Sequence, residues 1–172
     1  MSAAATALLL AKLVIPQVAA PIQIDGELDE IAWTAPARTG QFVDASGQLA
    51  SPYSDARLLR DNQFLYVAFY AADEDVRSTD AFTVTFTGSR TVTMRFAASG
   101  KSPNGIRVAR DVDGSVDAPT DDDEEWLLET AIPLASIPFT SDGEVTATIS
   151  RCDVTKDRVR RCGSWRGTLV KR

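Results

Sequence analysis

Strict alternation of apolar and polar side chains between residues 82 and 96 is the feature that most constrains the fold. Apolar residues occupy positions 82, 84 and 86, and the alternation resumes at positions 92, 94 and 96 after Gly88-Ser89. Side chains of a β-strand alternate between the two faces of a sheet, so each run predicts a strand with one buried face. Two such runs joined by a short glycine-containing loop predict a β-hairpin.

Other parts of the chain predict further short strands. Residues 64–72 are continuously apolar and aromatic, which is typical of a central strand buried on both faces. Further strands are predicted at 55–60, 106–111, 126–132, 145–150 and 165–170, with a short helix at 28–35 and a helical turn at 134–137. About nine or ten strands with one short helix indicate an all-β fold, an antiparallel, jelly-roll-like β-sandwich.

The N-terminus is expected to be separate from this domain. Residues 3–11 form a short apolar run, and Val18-Ala19-Ala20 fits a small-residue cleavage pattern, but no basic residue precedes the run. The run is also too short to span a membrane. We therefore expect residues 1–14 to be an N-terminal arm or a leader remnant, and residues 15–172 to be one domain.

The composition excludes several classes of function. The net charge is −6, and the only dense basic run, Lys156 to Arg161, contains no aromatic residue, so nucleic-acid binding is not expected. The chain has no histidine, which excludes a Ser-His-Asp triad and a histidine zinc site. A monomer without a membrane span is expected.

The two cysteines alone do not determine whether the protein belongs to a reducing or an oxidising compartment. Cys152 and Cys162 would be free thiols in a reducing compartment and could form a disulfide across a hairpin in an oxidising one.

Five segments together resemble the family 9 carbohydrate-binding modules. They match, in order and spacing, an I-D-G-x-L-D-E-x-x-W motif at 24–33, D-x-x-x-L-Y-V-A at 61–68, D-E-D at 73–75, W-x-x-E-x-A-I-P at 126–133, and the last two strands at 150–151 and 167–169. The agreement runs from Ile15 to Lys171, which is nearly the whole chain. The resemblance implies a β-sandwich that holds polysaccharide without catalysis, in a secreted, periplasmic or surface protein. That location favours the Cys152–Cys162 disulfide.

The predicted sugar site departs from the family pattern. Members that bind the ends of sugar chains stack two tryptophans on a sugar ring, and a glutamate on the following strand contacts the sugar. By this resemblance Arg77 stands where one tryptophan is expected, and Thr83 replaces the glutamate. Trp165 is the candidate for the other aromatic, and Arg95 is a further candidate contact. Trp33 and Trp126 are predicted to be core residues.

Acidic loops are the candidate metal ligands. Some members of the family are stabilised by calcium, and Asp73, Glu74 and Asp75 could begin to supply its six to eight oxygen ligands. Residues 121–125 form a second acidic cluster, without the spacing of an EF-hand. Both clusters can also be read as solvated loops.

Two other functions remain open at this stage. The domain could be an accessory or protein-interaction sandwich with a decayed sugar site, as Arg77 and Thr83 suggest. Relatives of this sandwich bind haem through a methionine and a lysine, for which Met94 and Lys171 are candidates, although core packing also explains Met94. An enzyme is not expected. A glycosidase pair that includes Glu129 can be proposed, but the chain has so many carboxylates that such a pair carries little weight.

Overall fold

The computed structural model describes residues 11–118 and 120–172, and its regular structure is nearly all β. In chain order the strands are β1 (Ala11–Val14), β2 (Ala37–Arg38), β3 (Ser54–Arg60), β4 (Phe64–Ala72), β5 (Ala81–Thr87), β6 (Thr91–Ala97), β7 (Arg107–Asp113), β8 (Glu125–Pro133), β9 (Glu144–Val154) and β10 (Arg160–Val170).

The strands form two five-stranded sheets. The first sheet has the order β1-β10-β9-β5-β6, and the second has the order β2-β3-β4-β8-β7. Neighbours are antiparallel except β1 and β10, which run parallel. The predicted antiparallel β-sandwich is confirmed. The alternating segment from residue 82 to 96 is the β5–β6 hairpin, in which Phe82 pairs with Phe96.

The main core lies between the two sheets. Phe69 of β4 stacks on Phe82 of β5 with 4.9 Å between ring centroids, and Phe82 lies 5.1 Å from the Trp126 ring. The side chains of β9 alternate between buried and half-buried along its whole length, as one face of a sandwich requires. Trp126 is a core residue, as predicted.

A smaller core covers the outer face of the second sheet. Ile22 and Trp33 from the N-terminal segment pack there against Leu59, Tyr66 and Ala131. This cover explains why β4 is buried on both faces, as its sequence predicts, and it makes Trp33 a core residue. The predicted helix is shorter than expected, a 3₁₀ turn at Ile31–Thr34 in which Trp33 is the buried side chain. A second 3₁₀ turn at Leu134–Ser136 matches the predicted helical turn.

Part of the predicted N-terminal arm belongs to the first sheet. Residues 1–10 lie outside the described residues, whereas Ala11–Val14 form β1 beside β10. Ile15 then continues towards the second sheet, and Gln17 forms a bridge to Arg60. The boundary at residue 15 stays a prediction.

The β9–β10 hairpin is longer than the alternation predicts. Its strands continue to Val154 and from Arg160, so that Cys152 lies directly opposite Cys162. The two form the predicted disulfide, with an S–S distance of 2.04 Å. The basic run lies mostly in the exposed turn between these strands. Over residues 11–118 and 120–172, no helix has the length and apolar character that a membrane span needs.

Candidate functional site: an acidic cluster beneath an open cleft

A polar cleft of about 830 Å³ opens where four connections of the sandwich meet. It is lined by Ser51, Pro52 and Tyr53 before β3, by Ala72 at the end of β4 with Asp73 and Glu74 after it, by Asp123 and Glu124 before β8, and by Asp153, Thr155, Lys156, Asp157 and Arg161 of the β9–β10 hairpin. Cleft walls built from loops of several strands are common positions for ligands, because the sheets hold the loops in fixed positions. We call this region the acidic cleft.

Three buried carboxylates converge beside the acidic cleft. Asp73, Asp80 and Asp153 each offer an oxygen within 4.8 Å of the others, and all three side chains are buried. Asp73 and Asp153 also line the cleft. The pairing of Ala81 with Cys152 between β5 and β9 brings Asp80 next to Asp153. We call these three residues the aspartate cluster.

A buried arginine partly neutralises the aspartate cluster. Nη2 of Arg151 lies 2.7 Å from Oδ2 of Asp73 and 3.7 Å from Oδ1 of Asp153. Its Nη1 donates to the Ala72 carbonyl at 3.0 Å, and its guanidinium lies over the Trp126 ring. Trp126 Nε1 also donates to Oδ2 of Asp73 at 3.2 Å. The Asp73 carboxylate therefore has several positive or donating neighbours.

Asp153 has far fewer donors than Asp73. Both of its carboxylate oxygens are buried, and neither accepts a hydrogen bond from any residue that the structure describes. Burial raises the pKa of Asp153 to about 6, against the opposing attraction of Arg151. Burial also raises the pKa of Asp80 to about 6, although its carboxylate accepts a hydrogen bond from the Arg77 amide. The cluster thus retains unused oxygen acceptors.

The predicted calcium ligands are only partly brought together. Asp73 is a member of the aspartate cluster, Glu74 is exposed on the cleft wall, and Asp75 is buried in an ion pair with Arg77. Sequence reasoning missed Asp80 and Asp153, because both lie outside the acidic triplet at 73–75 and Asp153 is eighty positions away from Asp73 along the chain. A signal was present: Arg151 and Asp153 occupy inward positions of an alternating strand, where apolar residues are normally expected.

The second acidic cluster has a structural role at its buried member. Asp123 accepts hydrogen bonds from the Val76 amide at 2.7 Å and the Ser115 amide at 2.9 Å. It therefore joins the β4–β5 and β7–β8 connections. Asp122 is exposed and pairs with Lys156 at 3.1 Å.

The predicted sugar contacts lie on different faces of the first sheet. Thr83 and Arg95 are direct cross-strand partners whose positions alternate with the buried ones on β5 and β6, so they lie on the outer face. Trp165 pairs with Ile149 and points into the main core, where its residue is 9% exposed. Arg77 lies on the β4–β5 connection and is tied to Asp75. The role of these four residues stays a prediction, and an indole this buried offers little surface for stacking.

Tyr53 is the aromatic residue that sequence reasoning passed over. It lines the acidic cleft and is 38% exposed. Its ring contacts the Tyr70 ring edge-on, with 5.8 Å between centroids, and its hydroxyl donates to Asp55 at 2.9 Å. The family motifs have tryptophans at the sugar site, so a tyrosine in the loop before β3 carries no signal in the sequence.

Glu129 lies in a separate buried site beneath the N-terminal segment. Its Oε2 accepts the amides of Asp25 at 3.1 Å and Gly26 at 3.2 Å, and its Oε1 accepts Trp33 Nε1 at 3.2 Å. Burial raises the pKa of Glu129 to about 7. Gly26 has a φ of +95° and lies against the Arg110 backbone, a position that disfavours any other residue. These contacts, which we call the Glu129 clasp, join the first sequence motif to the fourth.

The candidate haem ligands belong to different environments. Met94 is a member of the main core, and Lys171 places its Nζ 4.5 Å from the centre of the Phe139 ring. Neither residue lines the acidic cleft. Core packing accounts for Met94, and no contact in the described chain favours the haem alternative.

Comparison with known proteins gives a match in structure and none in sequence. No protein-family model matches the chain, and no curated protein matches it. A family 9 carbohydrate-binding module from Caldicellulosiruptor kristjanssonii in complex with glucose has a TM-score of 0.66 at 14% identity, over 94% of this chain and 96% of that one. The module from the same organism in complex with cellotriose has a TM-score of 0.64 at 12% identity, over 94% of each chain.

A third solved structure is similar over a comparable length. It is a protein from Bacteroides uniformis to which carbohydrate binding is provisionally assigned, with a TM-score of 0.55 at 14% identity, over 94% of this chain and 99% of that one. At these identities the likeness establishes the fold. The resemblance seen in the sequence motifs is thus confirmed as a shared β-sandwich that extends over nearly the whole of each chain.

Proposed function

We propose that this chain is a non-catalytic module that binds polysaccharide or oligosaccharide. The observation that supports the proposal most directly is the fold, which is shared over 94% of this chain with modules solved in complex with glucose and cellotriose. The acidic cleft adds a concave surface with a tyrosine ring and polar side chains. Sugars are commonly bound by that combination, because their C–H faces pack on aromatic rings while their hydroxyls need fixed partners.

Binding is a better account of the carboxylates than hydrolysis. A glycosidase needs one carboxylic acid that can reach the glycosidic oxygen. Glu129 has a raised pKa, but it is fully buried and its oxygens are occupied by the three donors of the clasp. We therefore assign Glu129 to folding.

The aspartate cluster is the proposed calcium site. Calcium prefers oxygen ligands, and Asp73, Asp80 and Asp153 supply carboxylates around one point with two unused oxygens on Asp153. The residues fit a hard cation, which would supply positive charge that Arg151 alone does not. Bound there, calcium would have a structural role, because it would join β4, β5 and β9.

An extracytoplasmic location is part of the proposal. The Cys152–Cys162 disulfide lies at an exposed end of the β9–β10 hairpin, and such bonds persist in oxidising compartments. We propose a secreted, periplasmic or surface protein that acts as a monomer.

Affinity electrophoresis tests the sugar-binding proposal. The full chain is run through gels that contain neutral or acidic plant and microbial polysaccharides, with calcium and with chelator, beside a protein that binds no sugar. We expect retardation by at least one glycan. A folded chain that no glycan retards would contradict the proposal and would favour an accessory domain that binds protein.

Thermal unfolding tests the calcium proposal separately. Calcium at about a hundred times its Kd should stabilise the wild type by about 2.7 kcal/mol. For a domain of this size, each kcal/mol of added stability raises the Tm by about 2–4 °C. Asp153→Asn should abolish the shift, whereas Asp111→Asn on exposed β7 should retain it. Equal shifts in both variants would rule out the cluster as the site.

A further inference from the structure

We infer that a saccharide without carboxylates binds in the acidic cleft with one ring packed on Tyr53. This inference rests on the proposed function and identifies the site and the class of sugar. It differs from the predicted site at Arg77, Thr83, Arg95 and Trp165, which the structure divides between two faces of the first sheet and a loop.

Tyr53 is held ready for stacking. Its hydroxyl is fixed by Asp55, and its ring rests against Tyr70, whose own hydroxyl donates to Glu125. A ring already fixed in the free protein loses little conformational entropy when a ligand packs on it. The remaining 38% exposure leaves part of the residue available to a ligand.

None of the three tryptophans can stack on a sugar ring in the cleft without leaving the core. Trp33 and Trp126 donate their Nε1 protons to the buried carboxylates Glu129 and Asp73, and Trp165 is packed between the sheets. Aromatic stacking surface at the cleft therefore comes from Tyr53.

The charges of the cleft define the sugar class. Six carboxylates line it, whereas Lys156 and Arg161 are its cationic lining residues. Arg151 and one divalent cation at the aspartate cluster would still leave the carboxylates in excess. The positive charge of Lys156 is already partly compensated, because its Nζ lies 3.1 Å from Asp122, and Asp122, Glu74 and Asp75 raise its pKa.

Like charges held close together in a cleft repel each other, most of all at low ionic strength. A uronic acid polymer would bring one carboxylate on each uronic acid unit into a cleft that already carries excess negative charge. A neutral sugar can instead accept hydrogen bonds from Lys156 and Arg161 and donate its hydroxyl protons to Glu74 and Glu124. The cleft is therefore selective for neutral sugars over uronates.

The first test compares the wild type with Tyr53→Ala and Tyr53→Phe on the glycan that retards the wild type. Loss of the ring should weaken binding about tenfold or more, which is about 1.4 kcal/mol. Tyr53→Phe keeps the ring but loses its hydrogen bond to Asp55, so it should bind more weakly than the wild type and more tightly than Tyr53→Ala. Ile31→Ala is the matched control, because Ile31 is 86% exposed and lies outside the cleft.

Tyr53→Leu addresses the stability of the loop. It keeps apolar bulk against Tyr70 but removes the aromatic face, so it should lose affinity while its Tm stays near that of the wild type. If Tyr53→Leu and Tyr53→Ala bind the glycan as the wild type does, the inference is overturned and the proposed function stands. If the wild type binds no glycan, both fail.

The second test measures charge selectivity by calorimetry. A neutral oligosaccharide of the polymer that the wild type binds is compared with oligogalacturonate of the same length at low salt. We expect at least tenfold tighter binding of the neutral sugar, and a smaller difference for Glu74→Gln combined with Glu124→Gln. Equal or tighter binding of the uronate would overturn the selectivity.

Discussion

Glu129 and Asp153 are both buried carboxylates with raised pKa values, yet their surroundings differ in hydrogen-bond donors and in access to solvent. Glu129 accepts three hydrogen bonds, from the amides of Asp25 and Gly26 and from Trp33. Asp153 accepts none from the described chain and has Arg151 only at 3.7 Å. The Glu129 site is closed under the N-terminal segment, whereas Asp153 lines the acidic cleft.

The difference separates a structural role from a ligand-binding role. Burying a carboxylate is costly unless donors or cations compensate for the lost water. The clasp supplies that compensation within the chain, and it fixes the first sequence motif on the second sheet. The aspartate cluster supplies it only in part, so a cation from solution could still gain oxygen ligands there. Substitutions at the two sites should therefore differ in sign as well as size.

Arg151→Met should have the largest effect on stability. Removing the partner of a buried ion pair typically costs about 3–5 kcal/mol, because the other charge is left uncompensated. Here Asp73 and Asp153 would both lose their nearest cation. Urea unfolding in chelator should show the loss, and calcium should restore part of it. Arg95→Met, on the exposed outer face, should change stability by less than about 0.5 kcal/mol. Equal effects of the two changes would mean that the cluster needs no compensation.

Glu129→Gln should destabilise the fold to a lesser degree. The amide keeps one acceptor oxygen, but its NH₂ group would face either Trp33 Nε1 or the amides of Asp25 and Gly26, which are also donors. One buried donor at least is then left unpaired, at a cost of about 1–3 kcal/mol. Chemical denaturation near neutral pH measures this loss. A neutral or stabilising outcome would show that the clasp does not hold the N-terminal segment.

Asp153→Asn should change stability in the opposite direction. The neutral side chain has nearly the same shape and removes a buried charge that has no donor in the described chain. We expect a gain of up to about 1 kcal/mol in chelator, since the desolvation of the charged form is relieved. In calcium the variant should fall below the wild type. If Asp153→Asn is as destabilising as Glu129→Gln in chelator, the contrast between the two sites is wrong.

The sequence predicts the sandwich well because its strands are amphipathic or wholly apolar. The alternation at 82–96 and the apolar run at 64–72 each specify strand and burial, and both are confirmed. The β9–β10 hairpin was underestimated because Arg151 and Asp153 interrupt the apolar alternation although they point inwards. The helix was overestimated because the segment makes one 3₁₀ turn, which places Trp33 on Glu129.

The candidate site is harder to predict, because its members come together only through sheet pairing. Asp73 stood out in an acidic triplet, whereas Asp80 and Asp153 meet it through the register of β5 on β9. Tyr53 lies in a loop whose path no periodic pattern determines. Trp165 attracted the sugar prediction by residue type, but its strand directs it into the core. The register in which two strands pair and the course of a loop between strands both depend on tertiary structure, so local sequence patterns do not determine them.

The smallest predicted effect is the pH dependence of the clasp in chelator. Burial raises the pKa of Glu129 from its ordinary 4.5 to about 7, so the folded chain retains this proton to higher pH than the unfolded chain. Stability should therefore fall as pH rises through that interval and level off above it. The corresponding changes from Asp80 and Asp153, whose pKa values are raised to about 6, are largely complete at lower pH. Between about pH 6 and about pH 8, the wild type and Asp153→Asn should thus lose Tm, and Glu129→Gln should lose less. If Glu129→Gln keeps the whole slope, the titrating group lies elsewhere and the donors of the clasp already hold Glu129 ionised at pH 6.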